Sequence, residues 1–300
     1  MKKIALFMML FISVMASAQG DTKPKNIIIL FADGTTSSQY EFGRYSSALL
    51  RQQSFAVTDI VMAKGQYQLM KTESANYFVT DSAAAGSAMS TGYKVNNGSI
   101  SITPDGKAPP TIMEVAKDKG KRIGLLSTAP IYDATPAAFS AHAKSRRDYE
   151  LIVNQYLELA PDVLMGGGSN YFLPNSLPGG KRQDGKNVIE AFKAKGYQFI
   201  NTPEQLNQIK SIKVLGLFAD EDLDYEIDRN SQDMPNLAQM VTAALQVLNQ
   251  DSKKSKNRGF VLFAENENTD SAGHHNDVAA LMRDLWAFDD AVKVALEFRK

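Results

Sequence analysis

The sequence predicts an α/β fold with three layers, α/β/α, built around a mostly parallel central sheet. Short apolar segments alternate along the chain with segments of helical spacing, and strands that are separated by helices pair in parallel. Residues 26–31 (NIIILF) form an apolar run that is unbroken after Asn26, which is typical of a central parallel strand buried on both faces. Polar clusters follow several of these runs, and the ligands of such sheets bind beyond the carboxyl ends of the strands.

The individual elements follow from local patterns. The predicted strands are residues 26–31, 122–127, 163–165, 214–218 and 259–263. The predicted helices are residues 82–92, 111–119, 235–248 and 278–298. Gly120 ends the second of these helices, and Pro235 suits the first turn of the third. Residues 174–235 are richer in Gly, Pro, Asn and Asp, so we expect mainly loops and excursions around the sheet there.

The first residues have the pattern of a secretory signal peptide. Met1 to Lys3 are a short basic region, residues 4–15 are apolar, and residues 16–18 (ASA) fit a cleavage site before Gln19. The apolar run is too short for a comfortable membrane span, although an N-terminal anchor is the alternative interpretation. We therefore predict a signal peptide over residues 1–18, an α/β domain over residues 19–300, and a secreted or periplasmic protein without a membrane segment after cleavage.

Composition limits the possible partners. The 300 residues carry a formal net charge of 0, which gives no electrostatic reason to expect nucleic acid or an anionic membrane as a partner. The chain contains no cysteine, so neither a disulfide nor a lipoprotein anchor is possible. We expect an exported protein stabilised by its core and by bound metal ions.

Two polar positions each allow a structural and a functional interpretation. Asp33 follows the first predicted strand and precedes Gly34, so it could bind a metal ion or form a turn that closes the strand. Ser82 stands at the start of a predicted helix, where serine is most often an N-cap. The same position faces the free backbone N–H groups of the helix, which suit an anionic phosphoryl group.

A third polar segment follows the predicted strand at residues 122–127. Thr135 as a helix cap and Pro136 as the first helical residue give a structural explanation for it. Arg146 lies ten residues further on, and a guanidinium can hold two phosphoryl oxygens at once. A solvated surface pair with Arg147 is the alternative.

The densest polar cluster is residues 265–277 (ENENTDSAGHHND). It contains two of the three histidines of the chain beside four carboxylates. Asp270 and His274 are four residues apart, and imidazole together with carboxylate is a typical set of zinc ligands. A serine hydroxyl needs a base or a metal ion before it acts as a nucleophile, and a divalent cation here could activate Ser82.

These segments resemble those of a known family, the metal-dependent alkaline phosphatases. Residues 79–92 (VTDSAAAGSAMSTG) resemble its nucleophile segment, and residues 132–146 (YDATPAAFSAHAKSR) resemble the segment that carries its phosphate-binding arginine. Residues 265–277 resemble its Glu-x4-Asp-x3-His metal segment. Residues 162–172 and 287–292 also match in order and spacing, so the resemblance extends from about residue 25 to the end of the chain.

The resemblance implies hydrolysis of phosphate monoesters in two in-line steps, with two zinc ions and one magnesium ion. Ser82 would be the nucleophile that is phosphorylated, and Arg146 would hold the non-bridging oxygens. Small-molecule phosphate esters would be the substrates, and the protein could be a homodimer. A related phosphodiesterase or sulfatase is the second hypothesis, and a secreted protein that binds metal or phosphate without catalysis is the third.

The resemblance also implies the magnesium ligands. Asp33 would bridge this ion and a zinc ion, and Thr135 and Glu265 would complete the set, with Asp133 nearby through water. Thr35 and Thr36 follow Asp33-Gly34 where the family usually has Met-Gly.

The implied zinc sets are smaller in this chain. Asp270 and His274 would bind one zinc ion, and Asp33 and Ser82 would bind the other. The family takes further ligands from an Asp-His pair and another His after the long helix, whereas no histidine follows His275 here. We therefore expect a fragment of a phosphatase whose C-terminal strands are missing. Ser271 also stands where the family often has Lys or His, which would alter phosphate affinity and pH optimum.

Overall fold

Within residues 24–250 and 258–298, which the computed structural model describes, six strands form one parallel sheet. They are β1 (Ile27–Ala32), β2 (Arg122–Pro130), β3 (Val163–Gly167), β4 (Gln198–Ile200), β5 (Val214–Leu217) and β6 (Phe260–Asn266). Their order across the sheet is β1-β6-β2-β3-β5-β4, and every neighbouring pair is parallel. This sheet confirms the predicted α/β class.

Helices flank both faces of the sheet. They are α1 (Ser37–Ser46), α2 (Ser82–Thr91), α3 (Ile112–Asp118), α4 (Ala134–Ala138), α5 (Tyr149–Leu159), α6 (Val188–Ala194), α7 (Pro203–Leu206), α8 (Leu237–Gln250), α9 (Asn268–His275) and α10 (Val278–Phe298). All four predicted helices are among them. None of the described helices is long and apolar enough to cross a membrane. The predicted signal peptide, residues 1–18, lies outside the described residues.

The core consists of two apolar layers, one on each face of the sheet. Along β6, Leu262 and Ala264 face the layer that contains α8 and α10, whereas Val261 and Phe263 face the layer that contains α4 and α5. Alternate side chains of a strand point to opposite faces, so a central strand buried on both sides needs apolar residues at every position. This requirement explains why the unbroken apolar runs identified the central strands. The run at residues 26–31 was predicted to be a central strand too, but β1 lies at the edge of the described sheet and is only partly buried.

The chain between residues 174 and 235 is more ordered than the sequence predicted. It contains α6, β4 and α7 in addition to the predicted β5. The two helices are short, with seven and four residues, and β4 has three. Elements of this length give too little periodicity to stand out among turn-forming residues, so the sequence missed these three elements, although most of this range is loop as predicted.

The strand register brings polar residues to one edge of the sheet. Phe31 of β1 and Ser127 of β2 both pair with Glu265 of β6, which lies between them. Glu265 is therefore part of the strand, although the predicted strand ended at residue 263. Asp33 comes two residues after Phe31, and α4 begins soon after β2 ends, so the carboxyl ends of three adjacent strands define the candidate site.

Candidate active site

The hydroxyl of Ser82 points at Asp33. Ser82 Oγ donates a hydrogen bond of 2.8 Å to Asp33 Oδ2, across 49 residues of sequence. The other oxygen of Asp33 accepts a 2.8 Å bond from the backbone N–H of Gly34. An Asx turn would need a bond from the N–H of the residue two positions on, so this bond from the next residue is not the turn that the sequence suggested. Asp33 lies in the turn that follows β1 and accepts a hydrogen bond from the candidate nucleophile.

Helix α2 is capped by Asp81 and not by Ser82. Asp81 Oδ1 accepts a 2.9 Å hydrogen bond from the backbone N–H of Ala84, which is the bond expected of an N-cap. Ser82 is the first residue of the helix, and Gly92, at φ +80°, ends it. The structural interpretation of Ser82 as a cap was wrong. Because the neighbouring aspartate caps the helix, the serine hydroxyl is available for chemistry beside the positive end of the helix dipole.

The small residues of α2 allow close contact with α4. A Cβ atom added at Gly86 would lie 3.1 Å from Cβ of Ala138 and 3.5 Å from Cγ2 of Thr135. The side chain of Thr135 is nearly completely buried, and its Oγ1 lies 3.5 Å from Asp33 Oδ2. The run of small residues thus seats a neighbouring helix against the nucleophile helix and brings Thr135 to the same carboxylate as Ser82.

The start of α4 differs from the prediction in one detail. Asp133 occupies the N-cap position, and Thr135, which was expected to be the cap, is the second residue of the helix. The side chain of Asp133 makes no capping bond, because its two oxygens instead accept hydrogen bonds of 3.1 and 3.2 Å from Arg146 Nη2. Asp133 consequently orients the guanidinium, and the hydroxyl of Thr135 is free to face Asp33.

Glu265 is the most deeply buried carboxylate of the site, with 1% of its surface exposed. Its Oε2 accepts a 2.6 Å hydrogen bond from Ser127 Oγ, and its Oε1 is buried without a hydrogen-bond partner among the described residues. An unpaired buried carboxylate oxygen is unfavourable in a protein interior. It fits a position at which a cation binds.

Burial and mutual repulsion raise the pKa values of the two central carboxyl groups. Burial raises the pKa of Glu265 well above its usual value, and the negative charge of Asp33 raises it further. Burial also raises the pKa of Asp33, the bond from Ser82 opposes this rise, and the charge of Asp270 adds to it. Carboxylates that repel one another in a buried site are stabilised by a divalent cation, because the cation neutralises both.

Arg146 is held by two carboxylates at the edge of the site. Besides its bonds to Asp133, its Nη1 lies 3.4 Å from Asp81 Oδ2. Asp81 Oδ2 also accepts a 3.0 Å bond from the backbone N–H of Gly98. Arg147, the neighbouring arginine in the sequence, is exposed. The structure thus distinguishes the two arginines, because only Arg146 is oriented next to the nucleophile helix.

Asp270 and His274 lie on α9, one helical turn apart. His274 Nε2 is 3.2 Å from Asp270 Oδ2, and 77% of the imidazole side chain is exposed. Asp270 packs against the turn after β1, because a Cβ added at Gly34 would lie 2.1 Å from its Oδ1. The two side chains thus lie close together beside Asp33, and their convergence on one zinc ion stays a prediction.

The donors of this site fit magnesium better than zinc. In the part of the chain that the structure describes, no three side chains of His, Asp and Glu gather as a complete metal site requires. Asp33, Thr135 and Glu265 nevertheless offer oxygens, one of which lacks a partner, and magnesium accepts water for its remaining positions. Asp270 with His274 gives zinc two protein ligands, fewer than the three or four that it usually takes.

Sequence reasoning missed several supporting residues. Ser127 bonds to Glu265, and Thr269 Oγ1 donates a 2.7 Å bond to the carbonyl oxygen of Asp33. Glu267 is another buried carboxyl group near the site, and burial raises its pKa to about 8. A polar residue inside or directly after an apolar strand was the available signal. The pairing of Asp81 with Arg146 left no signal, because 65 residues separate them.

The fold and the site define an α/β protein with a serine hydroxyl among buried carboxylates at the carboxyl edge of a parallel sheet. The chain belongs to the alkaline phosphatase family, whose model matches residues 24–300. It is 39% identical to alkaline phosphatase 4 of Bacillus subtilis over 231 residues, which are 75% of this chain and 47% of that protein. It is 32% identical to the alkaline phosphatase of Escherichia coli over 327 residues, with 93% and 68% of the two chains covered.

The comparison with solved structures also finds alkaline phosphatases. The crystal structure of Thermus thermophilus alkaline phosphatase matches with a TM-score of 0.84 at 35% identity, covering 91% of this chain and 56% of the other. The alkaline phosphatase of the Antarctic bacterium TAB5 matches with a TM-score of 0.78 at 32% identity, covering 92% and 75%. The chain spans about half the length of several curated relatives that it matches, with 47%, 58% and 55% covered.

Proposed function

We propose that this chain carries the phosphoryl-transfer site of an enzyme that hydrolyses phosphate monoesters through a phosphoserine at Ser82. The observation that carries the proposal is the 2.8 Å hydrogen bond from Ser82 Oγ to Asp33 Oδ2 at the start of α2. The bond shows that the hydroxyl of Ser82 does not cap the helix, and Asp33 is an acceptor for its proton. Membership of the alkaline phosphatase family supports this choice.

In the first step, Ser82 Oγ attacks phosphorus in line with the ester oxygen. The new Oγ–P bond forms as the P–O bond to the alcohol breaks, and the alcohol leaves with the bonding electrons and takes up a proton. In the second step, water displaces the serine oxygen and releases inorganic phosphate. The free backbone N–H groups of α2 and the guanidinium of Arg146 face the negative charge of the phosphoryl oxygens in both steps.

The metal ligands follow from the same residues. We propose that Asp33, Thr135 and Glu265 hold magnesium, with Asp133 nearby. A variant of the TAB5 enzyme, 31% identical to this chain, has magnesium bound in its M3 site, which supports a magnesium site in the family.

For zinc, the candidate ligands are Asp270 and His274 at one position and Asp33 and Ser82 at the other. When bound, these cations would neutralise the repelling carboxylates and stabilise negative charge on the attacking and leaving oxygens.

The surroundings of Arg146 favour a phosphate monoester over the alternatives. A monoester presents a doubly charged phosphoryl group with non-bridging oxygens, which a guanidinium fork binds best. A diester or a sulfate ester carries less charge and gains less from that contact. We also propose that residues 1–18 direct export, that residues 19–300 form one domain, and that the protein acts outside the cytoplasm, as a monomer or homodimer.

The test is a trapping experiment with Ser82→Ala. With zinc and magnesium supplied in excess, the wild-type protein should form an acid-stable phosphoprotein when inorganic phosphate or an aryl phosphate is added, and mass spectrometry should locate it on Ser82. The variant should form none and should lose hydrolysis of the aryl phosphate. Its folded state should be retained, because Asp81 caps the helix. Phosphorylation of the variant at the wild-type rate would refute the assignment.

A further inference from the structure

His142 lies outside the candidate site and has an unusual arrangement of partners. Its Nδ1 is 2.9 Å from the carbonyl oxygen of Ser101. Its Nε2 is 3.1 and 3.2 Å from the two carboxylate oxygens of Glu114 on α3. The side chain of Gln155, on α5, holds the backbone of His142 through bonds of 2.8 and 2.7 Å. The ring is therefore held at both nitrogens, and Gln155 fixes the backbone that carries it.

Both ring nitrogens face acceptors. A carbonyl oxygen can only accept, so Nδ1 must carry a proton. Thr111 is the N-cap of α3 and forms a capping box with Glu114, whose carboxylate accepts a 2.7 Å bond from the backbone N–H of Thr111. The carboxylate of Glu114 is therefore also an acceptor. A histidine that donates from both nitrogens is an imidazolium cation. The bond to Glu114 accordingly raises the pKa of His142, against the opposing effect of burial.

The same contacts connect His142 to the nucleophile helix. Ser101 has an unusual φ of +47°, and its backbone N–H donates a 2.7 Å bond to Ser87 Oγ on α2. A left-handed conformation in a residue other than glycine costs energy and persists only where its surroundings hold it. The Nδ1–H of His142 supplies one of the bonds that hold this residue.

The contacts also extend to Arg146. Ile100 and Ala143 pair through two backbone hydrogen bonds of 2.9 and 3.0 Å, directly beside Ser101 and His142. Three residues further along, the backbone N–H of Arg146 donates a 2.7 Å bond to the carbonyl oxygen of Gly98. Two antiparallel segments, residues 98–101 and 143–146, are thus joined at one end by His142 and at the other by Arg146.

We propose that protonated His142 is a positioning residue for Arg146: it clamps residues 98–101 to residues 143–146 and so sets the affinity of the site for phosphate. This inference rests on the proposed function in assigning phosphate to Arg146. Deprotonation removes the donor to either Ser101 or Glu114, and the clamp loosens. The charged group that faces the ring is Glu114 of α3, while Ser101 and Gln155 contribute uncharged acceptors and donors.

The direction of the pH effect follows. The pKa of His142 is raised in the folded protein, so the clamp is complete below the ordinary imidazole value of about 6.5 and is lost as pH rises through the raised pKa. Phosphate affinity should fall over that interval, by up to roughly tenfold, which corresponds to one charge-assisted hydrogen bond. Looser binding at alkaline pH would favour release of the phosphate product.

The experiment compares the wild type with Glu114→Gln and with the matched control Asp118→Asn. Asp118 lies one turn further along α3 and is exposed, whereas glutamine at position 114 preserves the capping box. NMR would follow the ring of His142, one of three histidines, and the Nε–H of Arg146, identified by its loss in Arg146→Lys. Phosphate affinity would be measured by calorimetry at each pH, where the ionisation of phosphate is common to all three proteins.

In the wild type and in Asp118→Asn, the Arg146 resonance should move with the titration of His142, and phosphate affinity should fall over the same pH interval. In Glu114→Gln, both transitions should shift together to lower pH, a result that a purely structural role would not produce. The inference would be overturned if the chemical shift of the Arg146 Nε–H did not change as His142 titrates. Coupled resonances without phosphate binding at any pH would support the positioning of Arg146 and refute the proposed function instead.

Discussion

Replacing Gly34 with alanine tests whether Asp270 belongs to the site. Gly34 has a φ of +62°, and an added Cβ would lie 2.1 Å from Asp270 Oδ1 and 2.9 Å from its Cγ. Because non-bonded atoms need more than 3 Å, the carboxylate must move by about 1 Å or more, away from the turn after β1. The change therefore disturbs Asp270 without altering its chemistry.

Gly92 provides the matched control. It has a φ of +80°, and nothing lies within 4 Å of an added Cβ. Both variants place an alanine in the left-handed region, which costs roughly 1–2 kcal/mol at each position. A carboxylate can rotate away at little further cost, so the two variants should lose similar free energies of unfolding when no metal is present.

The two variants should differ when metal is added. Displacement of a metal-binding carboxylate, or of its supports, weakens metal affinity by roughly 10- to 100-fold. Urea unfolding in chelator should give similar losses for Gly34→Ala and Gly92→Ala, while a zinc titration against a competing chelator should be weakened only in Gly34→Ala. Equal zinc affinity in both variants would show that Asp270 takes no part in binding the metal.

Three further outcomes are expected. Arg146→Ala should raise the inhibition constant of inorganic phosphate by about tenfold or more, because a charged contact is lost. Arg147→Ala changes an exposed side chain and should leave the constant unchanged, so equal effects of the two variants would refute the distinction. Asp284→Asn should raise the free energy of unfolding by up to roughly 4 kcal/mol at pH 8 and by almost nothing at pH 4. Burial raises the pKa of Asp284 to about 7, so the wild type loses stability as pH rises from about 4 to 7. The prediction would be contradicted if urea unfolding gave the same pH dependence of stability for the wild type and for Asp284→Asn. After dialysis, metal analysis of this chain should find retained magnesium and little zinc, because Asp270 and His274 give zinc only two protein ligands; two tightly held zinc ions per chain would show that other residues complete the site.

The sequence predicted the sheet well because its central strands are buried on both faces. Such strands must be apolar at every position, so β2, β3, β5 and β6 could be recognised without any tertiary information. The apolar run of β1 was recognised as well, although β1 lies at the edge of the described sheet and is only partly buried. The end of β6 was placed too early, because Glu265 and Asn266 are polar although they lie in the strand. Their polarity is tolerated because Ser127 bonds to Glu265 and Asp284 accepts from Asn266, and these partners are distant in sequence.

The grouping of the site residues was also predictable in part. Asp33, Asp133 and Glu265 lie at or just beyond the carboxyl ends of three strands, and the parallel topology brings those ends together. The individual hydrogen bonds were not predictable, because they depend on register and side-chain rotamers. The bond from Ser82 to Asp33 is the clearest example, since no strand precedes α2 directly.

Asp81 explains why the helix and the site form together. Its Oδ1 caps α2 through Ala84, while its Oδ2 accepts from the backbone of Gly98 and lies 3.4 Å from Arg146. A serine at the cap would have to give its oxygen to the backbone. With aspartate there, one carboxylate starts the helix, orients the arginine and leaves Ser82 free to face Asp33. The Asp-Ser order is therefore a physical requirement of the site, because the reverse order would bind the nucleophile to the helix it begins.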